Sequence, residues 1–473
     1  MKHETEEERW AYNVEDCIRT REVGETIAAT IKNLGLEAHE QFQQGMFYPV
    51  LKAMLRGCRV DLAARQRLAS EVEEQLQIRR EFIKSVAGHD LNPNSPNQLV
   101  KFFYDDLGCT PIKTRAKKGI PGHLTVNDEA LVTIAAREPL LKPIIDAIGD
   151  IRTLRIFLSN YIEAKLDYDM RLRCSYNICG TLTYRLASSK SAFDSGCNFQ
   201  NIPSDKSKSL GKAAKRDTFE FQYPNIRCMI IPDPGYTFFD LDLDRADLQV
   251  VVWEADDAML KSALRLGVDI HLLNCYAING KEPPPLEELV ESHPRYSFHR
   301  GPLKLQREFA KVFCHATNYV GSARTVASHT GRLVHEIDRA QKQWFSAHPG
   351  IKRWHERIAE QISKRRFIEN RFGQRWYIFD RLDAVLPEAV AWIPQSTVGR
   401  IINTIWRNFY DNLPQVEVLL QVHDSLGGQF PTHLKDQCLE QMLPLTRVVV
   451  PYEDPLIIPA GIATSSVSWG DCH

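Results

Sequence analysis

The sequence lacks a long apolar segment and lacks paired cysteines. No apolar run approaches the roughly 20 residues that a membrane-spanning helix needs, and the first residues, Met1 to Trp10, are charged and contain no apolar signal-peptide core. Eleven cysteines stand singly between Cys17 and Cys472, without a C-x-x-C pair. This spacing argues against a zinc ribbon and a disulfide framework. We therefore expect a cytoplasmic protein with reduced thiols and no membrane partner.

The chain also lacks an excess of charge of either sign. Lys and Arg together number 59, against 60 for Asp and Glu. This balance argues against a protein that coats nucleic acid, so a nucleic-acid site would require positive and negative charges to be segregated. With 473 residues, 43% of them hydrophobic and 25% charged, the chain suits a folded protein of several subdomains.

The first part of the chain is dominated by helical patterns. Residues 1–45 predict one or two charged helices, and a denser amphipathic pattern begins at Met46. Asp61 can cap a long helix that Gly88 ends. The apolar residues between them recur at helical spacing: Leu68, Val72, Leu76, Ile83 and Val86. A loop-rich stretch over 92–127 holds a basic run, a pattern typical of a solvated face: Lys113, Arg115, Lys117 and Lys118.

Acidic and apolar residues alternate between Tyr236 and Asp244. A strand with this pattern places three carboxylates on one face, those of Asp240, Asp242 and Asp244. Taken alone, the segment could be an exposed edge strand. The apolar residues that flank it favour a buried strand, and buried acids require a cation. Hard oxygen ligands of this kind suit Mg²⁺.

Two further strands are predicted near the carboxyl end of the chain. Val416 to Val422 and Leu426 to Phe430 are apolar runs separated by His423, Asp424 and Ser425. This pattern predicts a β-hairpin with a carboxylate at its tip.

A helix that follows Pro302 is predicted to carry a polar strip. Arg307, Lys311, His315 and Tyr319 recur at steps of four residues. Cations at this spacing more often face solvent, but two cations followed by His and Tyr on one strip would suit a triphosphate.

Taken together, these segments resemble family A, the polymerase I-like DNA polymerases, over nearly the whole chain from Met46 to Trp469. The family's primer- and template-contacting segment is matched by Thr181-Leu-Thr-Tyr-Arg-Leu-Ala-Ser-Ser189 and Asn198-Phe-Gln-Asn-Ile-Pro203. Its motifs A, B and C are matched, in order, by three more passages: Asp242-Leu-Asp-Arg-Ala-Asp247-Leu-Gln, Arg307 through Tyr319, and Val422-His-Asp-Ser425.

The resemblance implies an α+β fold shaped like a right hand, with helical thumb and fingers and an antiparallel-sheet palm. Five segments follow from it: a remnant of an exonuclease-like domain at 1–45, thumb and associated helices at 46–225, a first part of the palm at 226–260, fingers at 261–395, and the rest of the palm at 396–473.

The implied activity is the extension of a DNA primer by deoxynucleoside triphosphates (dNTPs) on a DNA template. Two Mg²⁺ ions are expected on Asp242, Asp424 and the Leu243 carbonyl, with Lys311 as a further catalytic residue. The resemblance also implies two sets of binding residues. The nucleotide set is Arg307, Lys311, His315, Tyr319, His271 and Asp247. The DNA set is Arg185, Asn198, Gln200, Asn201, Gln395 and His423. We expect a monomer, with a possible processivity factor, in a bacterial cell or the host cell of a phage.

This sequence departs from the family pattern at several positions. Asp247 replaces a glutamate, Gln249 an arginine and His315 an aromatic residue, and the remaining three departures are Tyr184 and Val320 in place of glycine and Ser425 in place of glutamate. Near the amino end, Tyr12-Asn-Val-Glu-Asp16 resembles the last motif of the family's proofreading exonuclease, but the earlier motifs are absent. We therefore expect no proofreading by this chain.

Two functions other than DNA synthesis are alternatives for this sequence. An RNA polymerase could use the same scaffold, but a carboxylate at Asp247, able to exclude a ribose 2′-hydroxyl, argues against it. A catalytically silent DNA-binding scaffold is disfavoured because Asp242, Lys311 and Asp424 are all present.

Overall fold

The structure is a computed structural model that describes residues 5–114, 121–191, 193–203, 219 and 223–472. Within these residues the helices are α1 (Glu6–Asn33), α2 (Glu37–Gly45), α3 (Phe47–Arg56), α4 (Leu62–Ala87), α5 (Pro96–Val100), α6 (Asp128–Arg137), α7 (Lys142–Phe157), α8 (Ala246–Ala255), α9 (Ala258–Arg265), α10 (Ile270–Ile278), α11 (Tyr296–Asn318), α12 (Ala323–Thr330), α13 (Val334–Ala347), α14 (Pro349–Arg365), α15 (Leu382–Asn412) and α16 (Lys435–Leu445). The strands are β1 (Cys58–Val60), β2 (Arg171–Leu172), β3 (Ser175–Asn177), β4 (Ala187–Ser189), β5 (Ile230–Ile231), β6 (Tyr236–Leu243), β7 (Phe367–Glu369), β8 (Arg375–Tyr377), β9 (Glu417–Val422), β10 (Ser425–Pro431), β11 (Val449–Val450), β12 (Leu456–Ile457) and β13 (Ala460–Ser465).

The largest sheet within the described residues, here called the central sheet, has four antiparallel strands in the order β13-β6-β10-β9. Strand β6 lies in its interior, paired with β10 on one side and β13 on the other. Phe239 and Leu241 on β6 are fully buried, and the Phe239 ring stacks on Phe430 at 5.9 Å. The prediction of a buried strand over this acidic segment is confirmed, and the exposed-edge alternative is wrong.

Strands β9 and β10 form the predicted hairpin. Their register shifts between Gly427 and Gly428. A Cβ atom at Gly428 would lie 2.2 Å from the Glu417 carbonyl oxygen and 2.7 Å from the Phe239 ring. Only glycine fits this close approach, which holds the hairpin against β6.

Helix α15 anchors this sheet. It contacts β9 and β10 and also packs against α8. Phe409 on α15 meets the Phe239 ring edge-on at 6.5 Å. The sheet and its two helices therefore share one hydrophobic core.

A second hydrophobic cluster joins α10, α11, α12 and α13. Phe313 and Trp344 are fully buried in it, and the Trp344 Nε1–H donates to Asn318 Oδ1 at 3.0 Å. Helix α11 begins at Tyr296 and passes through Pro302, so the prediction of a helix that starts after this proline is wrong. Proline cannot donate to the carbonyl four residues earlier; here that residue is Phe298, which is exposed, so water can satisfy its carbonyl.

The long helix α4 matches its prediction. The Asp61 carboxylate accepts the backbone N–H groups of Ala63 and Ala64, and Gly88 ends the helix with φ of +75°. Helix α4 packs against α7, where buried Arg79 and Asp150 form an ion pair at 2.9 Å.

The amino-terminal helices α1 and α2 agree with the prediction of charged helices over 1–45. None of the 28 residues of α1 is buried. In the basic run, Lys113 is described, whereas Arg115, Lys117 and Lys118 lie outside the described residues. The segment limits proposed at 260/261 and 395/396 fall inside α9 and α15, and the division of the chain into five segments stays a prediction. None of the described helices combines the length and apolar character needed to cross a membrane.

Candidate active site

The two aspartates predicted to bind metal meet at one end of the central sheet. Asp242 on β6 lies opposite Ser425 on β10, and Asp424 stands in the turn between β9 and β10. The backbone N–H of Leu243 donates to the Asp424 carbonyl oxygen at 3.4 Å. Antiparallel pairing thus brings together two motifs that are far apart in the sequence.

The residues at this end of the sheet fit a divalent cation. Asp424 is half-buried, and burial raises the pKa of its carboxyl group. Its ionised form is therefore favoured by a neighbouring cation. The two carboxylates and the Leu243 carbonyl supply the hard oxygen atoms that Mg²⁺ prefers.

The third acid on the same strand face has a different environment. Asp240 Oδ2 accepts the Trp469 Nε1–H at 3.2 Å, and burial raises the pKa of this carboxyl group. Asp240 is thus tied to the protein interior, whereas Asp242 and Asp244 are both exposed, so the expectation that these acids are buried is wrong for the latter two. Alternation along the strand alone could not separate these roles from that of Asp242.

A cavity of about 660 Å³ opens beside Asp424. Six residues named from the sequence line it: Asp247, His271, Lys311, His315, Tyr319 and Asp424. Among the described residues, Arg307 does not line this cavity. Its Nε–H instead donates to Asp269 Oδ2 at 2.7 Å. The structure therefore brings together most of the predicted nucleotide set around the cavity and places Arg307 outside it, in an ion pair with Asp269.

Several cavity residues were not singled out from the sequence. Arg245, Asn274, Glu308 and His329 also line the cavity. Arg245 lies within the passage that matches motif A, and this position in the motif could have indicated that it lies at the site. Asn274 follows His271 by one helical turn on α10, and His329 comes from α12, which no sequence pattern connected with the site.

Two histidines of the cavity, His271 and His315, are shifted towards their neutral forms. Burial, together with the charges of Arg307 and Lys311, lowers the pKa of His271 to about 4. Desolvation by the groups around it also lowers the pKa of His315, although its side chain is partly exposed. At neutral pH these two rings therefore add little positive charge to the cavity.

Residues at the end of α11 pack on one another. The His315 and Tyr319 rings meet edge-on with centroids 4.8 Å apart. Helix α11 ends at Asn318, and Val320 adopts φ of +61°. This turn places Tyr319 at the helix end, where it lines the cavity.

Asp247 forms an ion pair with a residue predicted to contact DNA. Arg185 Nη2 donates to Asp247 Oδ1 at 3.0 Å. Asp247 also lies beside Tyr319, where burial and the carboxylate charge raise the pKa of the tyrosine hydroxyl. The predicted sugar-selecting residue and a predicted primer contact thus lie side by side.

The remaining predicted DNA contacts lie around this centre. Asn198 Nδ2 donates to the Ser188 carbonyl at 3.0 Å and Gln200 Nε2 to the Leu186 carbonyl at 3.0 Å, so both amides brace their own loop. Asn201 is exposed.

Gln395 and His423 come from two other elements. Gln395 is half-buried on α15, and His423 occupies the hairpin turn with φ of +55°. Burial lowers the pKa of the His423 imidazole. Their contacts with DNA stay predictions.

Known proteins resemble this chain over most of its length. A thermostable DNA polymerase I of Thermus filiformis is 25% identical over 420 residues, which cover 86% of this chain and 45% of the relative. A thermostable DNA polymerase I of Thermus aquaticus is 26% identical over 425 residues, with coverages of 87% and 46%. The chain spans about half the length of the curated relatives that it matches.

A solved structure and a family model agree with these relatives. The POL domain of Pol1 from M. smegmatis, in complex with DNA primer-template and dNTP, matches with a TM-score of 0.75 at 20% identity, covering 93% of this chain and 72% of that chain. The predicted α+β polymerase fold is therefore confirmed. The family model for DNA polymerase family A matches residues 63–449, and we conclude that this chain belongs to DNA polymerase family A.

Proposed function

We propose that this chain extends the 3′ end of a DNA primer with dNTPs, using a DNA template and two Mg²⁺ ions. The observation that carries the proposal is the meeting of Asp242 and Asp424 at one end of the central sheet, beside a cavity that holds Lys311. Two carboxylates beside a cation-bearing cavity suit the transfer of a nucleotidyl group.

Asp242, Asp424 and the Leu243 carbonyl would hold the two ions. When bound, the ions lower the pKa of the primer 3′-hydroxyl and neutralise charge on the triphosphate and the departing pyrophosphate. Lys311 would bind the phosphates and can donate a proton to the pyrophosphate. His271 would add an N–H donor to the same phosphates.

Three further residues would orient the incoming nucleotide. His315 and Tyr319 present ring faces at the end of α11, and Asp247 would oppose a ribose 2′-hydroxyl. Arg307 would reach the triphosphate only by leaving its ion pair with Asp269. Phosphate oxygens can replace a carboxylate as partners of arginine.

Primer-template DNA would lie against the loop of Arg185, Asn198, Gln200 and Asn201, with Gln395 and His423 at the primer end. The similar POL domain from M. smegmatis is in complex with DNA primer-template and dNTP, which supports primer-template DNA as the ligand. Contacts to minor-groove acceptors shared by all base pairs would check shape and leave sequence choice to base pairing.

Aspartate substitution tests the catalytic proposal. Asp242→Ala and Asp424→Ala should each lower primer extension to below about a hundredth of the parent rate, because each removes a metal ligand. Primer-template affinity should remain close to that of the parent. Asp244→Ala is the matched control, since Asp244 is an exposed acid of the same size just beyond the end of β6 and is not among the predicted metal ligands, and it should retain extension. Rapid extension by either metal-site variant would contradict the two-metal role.

We further propose that this chain does not proofread. Tyr12 and Asp16 lie on the exposed helix α1, and a nuclease metal site needs several carboxylates together. Purified protein with Mg²⁺ should leave a mismatched primer intact. Shortening of the primer from its 3′ end, abolished by Asp16→Ala, would overturn this assignment.

A further inference from the structure

The ion pair between Arg185 and Asp247 connects the primer side of the site with the nucleotide side. Arg185 comes from the loop that matches the family's primer-contacting segment, and Asp247 lines the cavity. Their side chains are only 22% and 29% exposed. Solvent screens such a pair less than it screens a surface ion pair, so the carboxylate is held towards Arg185.

The loop that carries Arg185 is fixed to helix α15. Trp392 Nε1–H donates to the Leu182 carbonyl at 2.8 Å, and Asn403 Nδ2 donates to the Tyr184 carbonyl at 3.2 Å. These two bonds hold the backbone immediately before Arg185. The guanidinium therefore projects from a braced loop.

Two residues near the end of α11, His315 and Tyr319, line the same cavity as Asp247. The carboxylate charge of Asp247 contributes to the raised pKa of the Tyr319 hydroxyl. Among the described residues, the side-chain hydrogen bond to Asp247 comes from Arg185, so this ion pair positions the carboxylate beside the cavity.

We propose that Arg185 is a positioning residue for sugar selection, which it performs by fixing the Asp247 carboxylate. The proposal rests on the proposed polymerase function. Aspartate is one methylene shorter than the glutamate found at this place in the family, so it reaches less far towards a 2′-hydroxyl. The shorter side chain of Asp247 can exclude that hydroxyl only if its carboxylate is fixed in position, and the ion pair with Arg185 fixes it.

The same guanidinium has donors left for DNA. Among the described residues, the ion pair with Asp247 uses Nη2 of the guanidinium, and an arginine side chain carries five N–H donors in one plane. One edge can bind Asp247 while another binds an acceptor on the primer terminus. Correct seating of the primer end and exclusion of ribonucleotides thus depend on one side chain.

The ratio of kcat/KM for dCTP to kcat/KM for CTP, measured opposite a template guanine, tests the proposal. Arg185→Gln should lower this ratio about tenfold, because the freed carboxylate turns away from the sugar. Arg185→Lys keeps the charge but loses the planar fork, so its ratio should fall between those of Arg185→Gln and the parent.

A second variant tests the same contact from the other partner. Asp247→Asn keeps the size of the side chain but removes the charge that pairs with Arg185, so the ratio should fall here too. In the double variant with Arg185→Gln the two losses should not add, because both remove one interaction. Gln395→Ala is the control: it alters another predicted DNA contact and should leave the ratio unchanged.

The possible outcomes separate the two proposals. If the parent protein incorporates neither nucleotide, the proposed function itself fails. If the parent extends primers, but Arg185→Gln slows dCTP and CTP equally, Arg185 is only a primer contact and the inference is overturned. If Arg185→Gln is too slow to measure, Asp247→Asn decides, and an unchanged ratio there overturns the positioning role.

Discussion

At the scale of single residues, His271 is a cavity side chain whose pKa is lowered strongly by its surroundings. Its pKa lies at about 4 because the ring is buried beside Arg307 and Lys311. Its Nδ1 is also buried, with no hydrogen-bond partner in the described protein. A neutral ring with an unpaired nitrogen can take up a proton when negative charge is added next to it.

Nucleotide binding should therefore be linked to proton uptake by His271. Triphosphate oxygens add negative charge beside the ring and should raise its pKa, so dNTP affinity should increase as the pH falls from about 7 towards about 5. Nucleotide Kd, measured by rapid-quench primer extension at several pH values, checks this. His271→Gln cannot titrate, and the gap between the two proteins in log Kd should widen in acid. A gap that stays constant with pH would show that His271 remains neutral in the complex.

Individual site residues could be predicted where they stand in a motif, but their pairings could not. Asp242, Asp424 and Lys311 were each identified from local pattern and family resemblance. The Arg185–Asp247 pair joins residues 62 positions apart, and the Arg307–Asp269 pair depends on how α10 and α11 pack. Such contacts depend on tertiary structure, which the local spacing of residues in the sequence does not predict.

At the scale of secondary-structure elements, two turns keep a glycine-like backbone without glycine. Tyr184 and Val320, both at positions where the family carries glycine, adopt φ of +59° and +61°. The left-handed region costs an ordinary residue roughly 1–2 kcal/mol, and a β-branched residue is a poorer occupant still. The turn after α11 is therefore strained at Val320.

Substitutions at Val320 should reverse the usual preference for alanine over glycine. Val320→Gly and Val320→Ala lose similar packing, but only glycine is relaxed at this φ, so Val320→Gly should be more stable by about 1 kcal/mol. Val312, exposed in the middle of α11, is the control position. There the Val312→Ala variant should be more stable than the Val312→Gly variant by about 1 kcal/mol of unfolding free energy. Urea unfolding measures both differences. The same order at both positions would mean that the turn relaxes without strain.

The elements that could be predicted are those with strong end signals or a long period. Asp61 and Gly88 marked both ends of α4, and alternation marked β6. The start of α11 was missed because Pro302, the seventh residue of the helix, removes a hydrogen bond to the carbonyl of the exposed residue Phe298, where water can replace the missing donor. Strands β1, β2 and β5 have two or three residues each, too few for a period to show.

At the scale of the whole molecule, the central sheet gathers segments from distant parts of the chain. β6, the β9–β10 hairpin and β13 come from residues 236–243, 417–431 and 460–465. Local patterns predicted the first two segments, but not that β13 pairs with β6. Family resemblance supplied the right-hand architecture, since strand order depends on contacts between segments that no local pattern records.

The exposed helix α1 has a consequence for how the molecule exchanges its amide hydrogens with deuterated solvent. A helix with no buried residue is stabilised only by its own turns, and isolated helices are marginal in water. Its amides should therefore exchange through local opening, long before those of α15, which lies within the core. Peptide-resolved deuterium uptake at neutral pH should show α1 fully exchanged while α15 is still largely protonated. Equal protection of the two helices would mean that α1 is covered in solution by a second molecule.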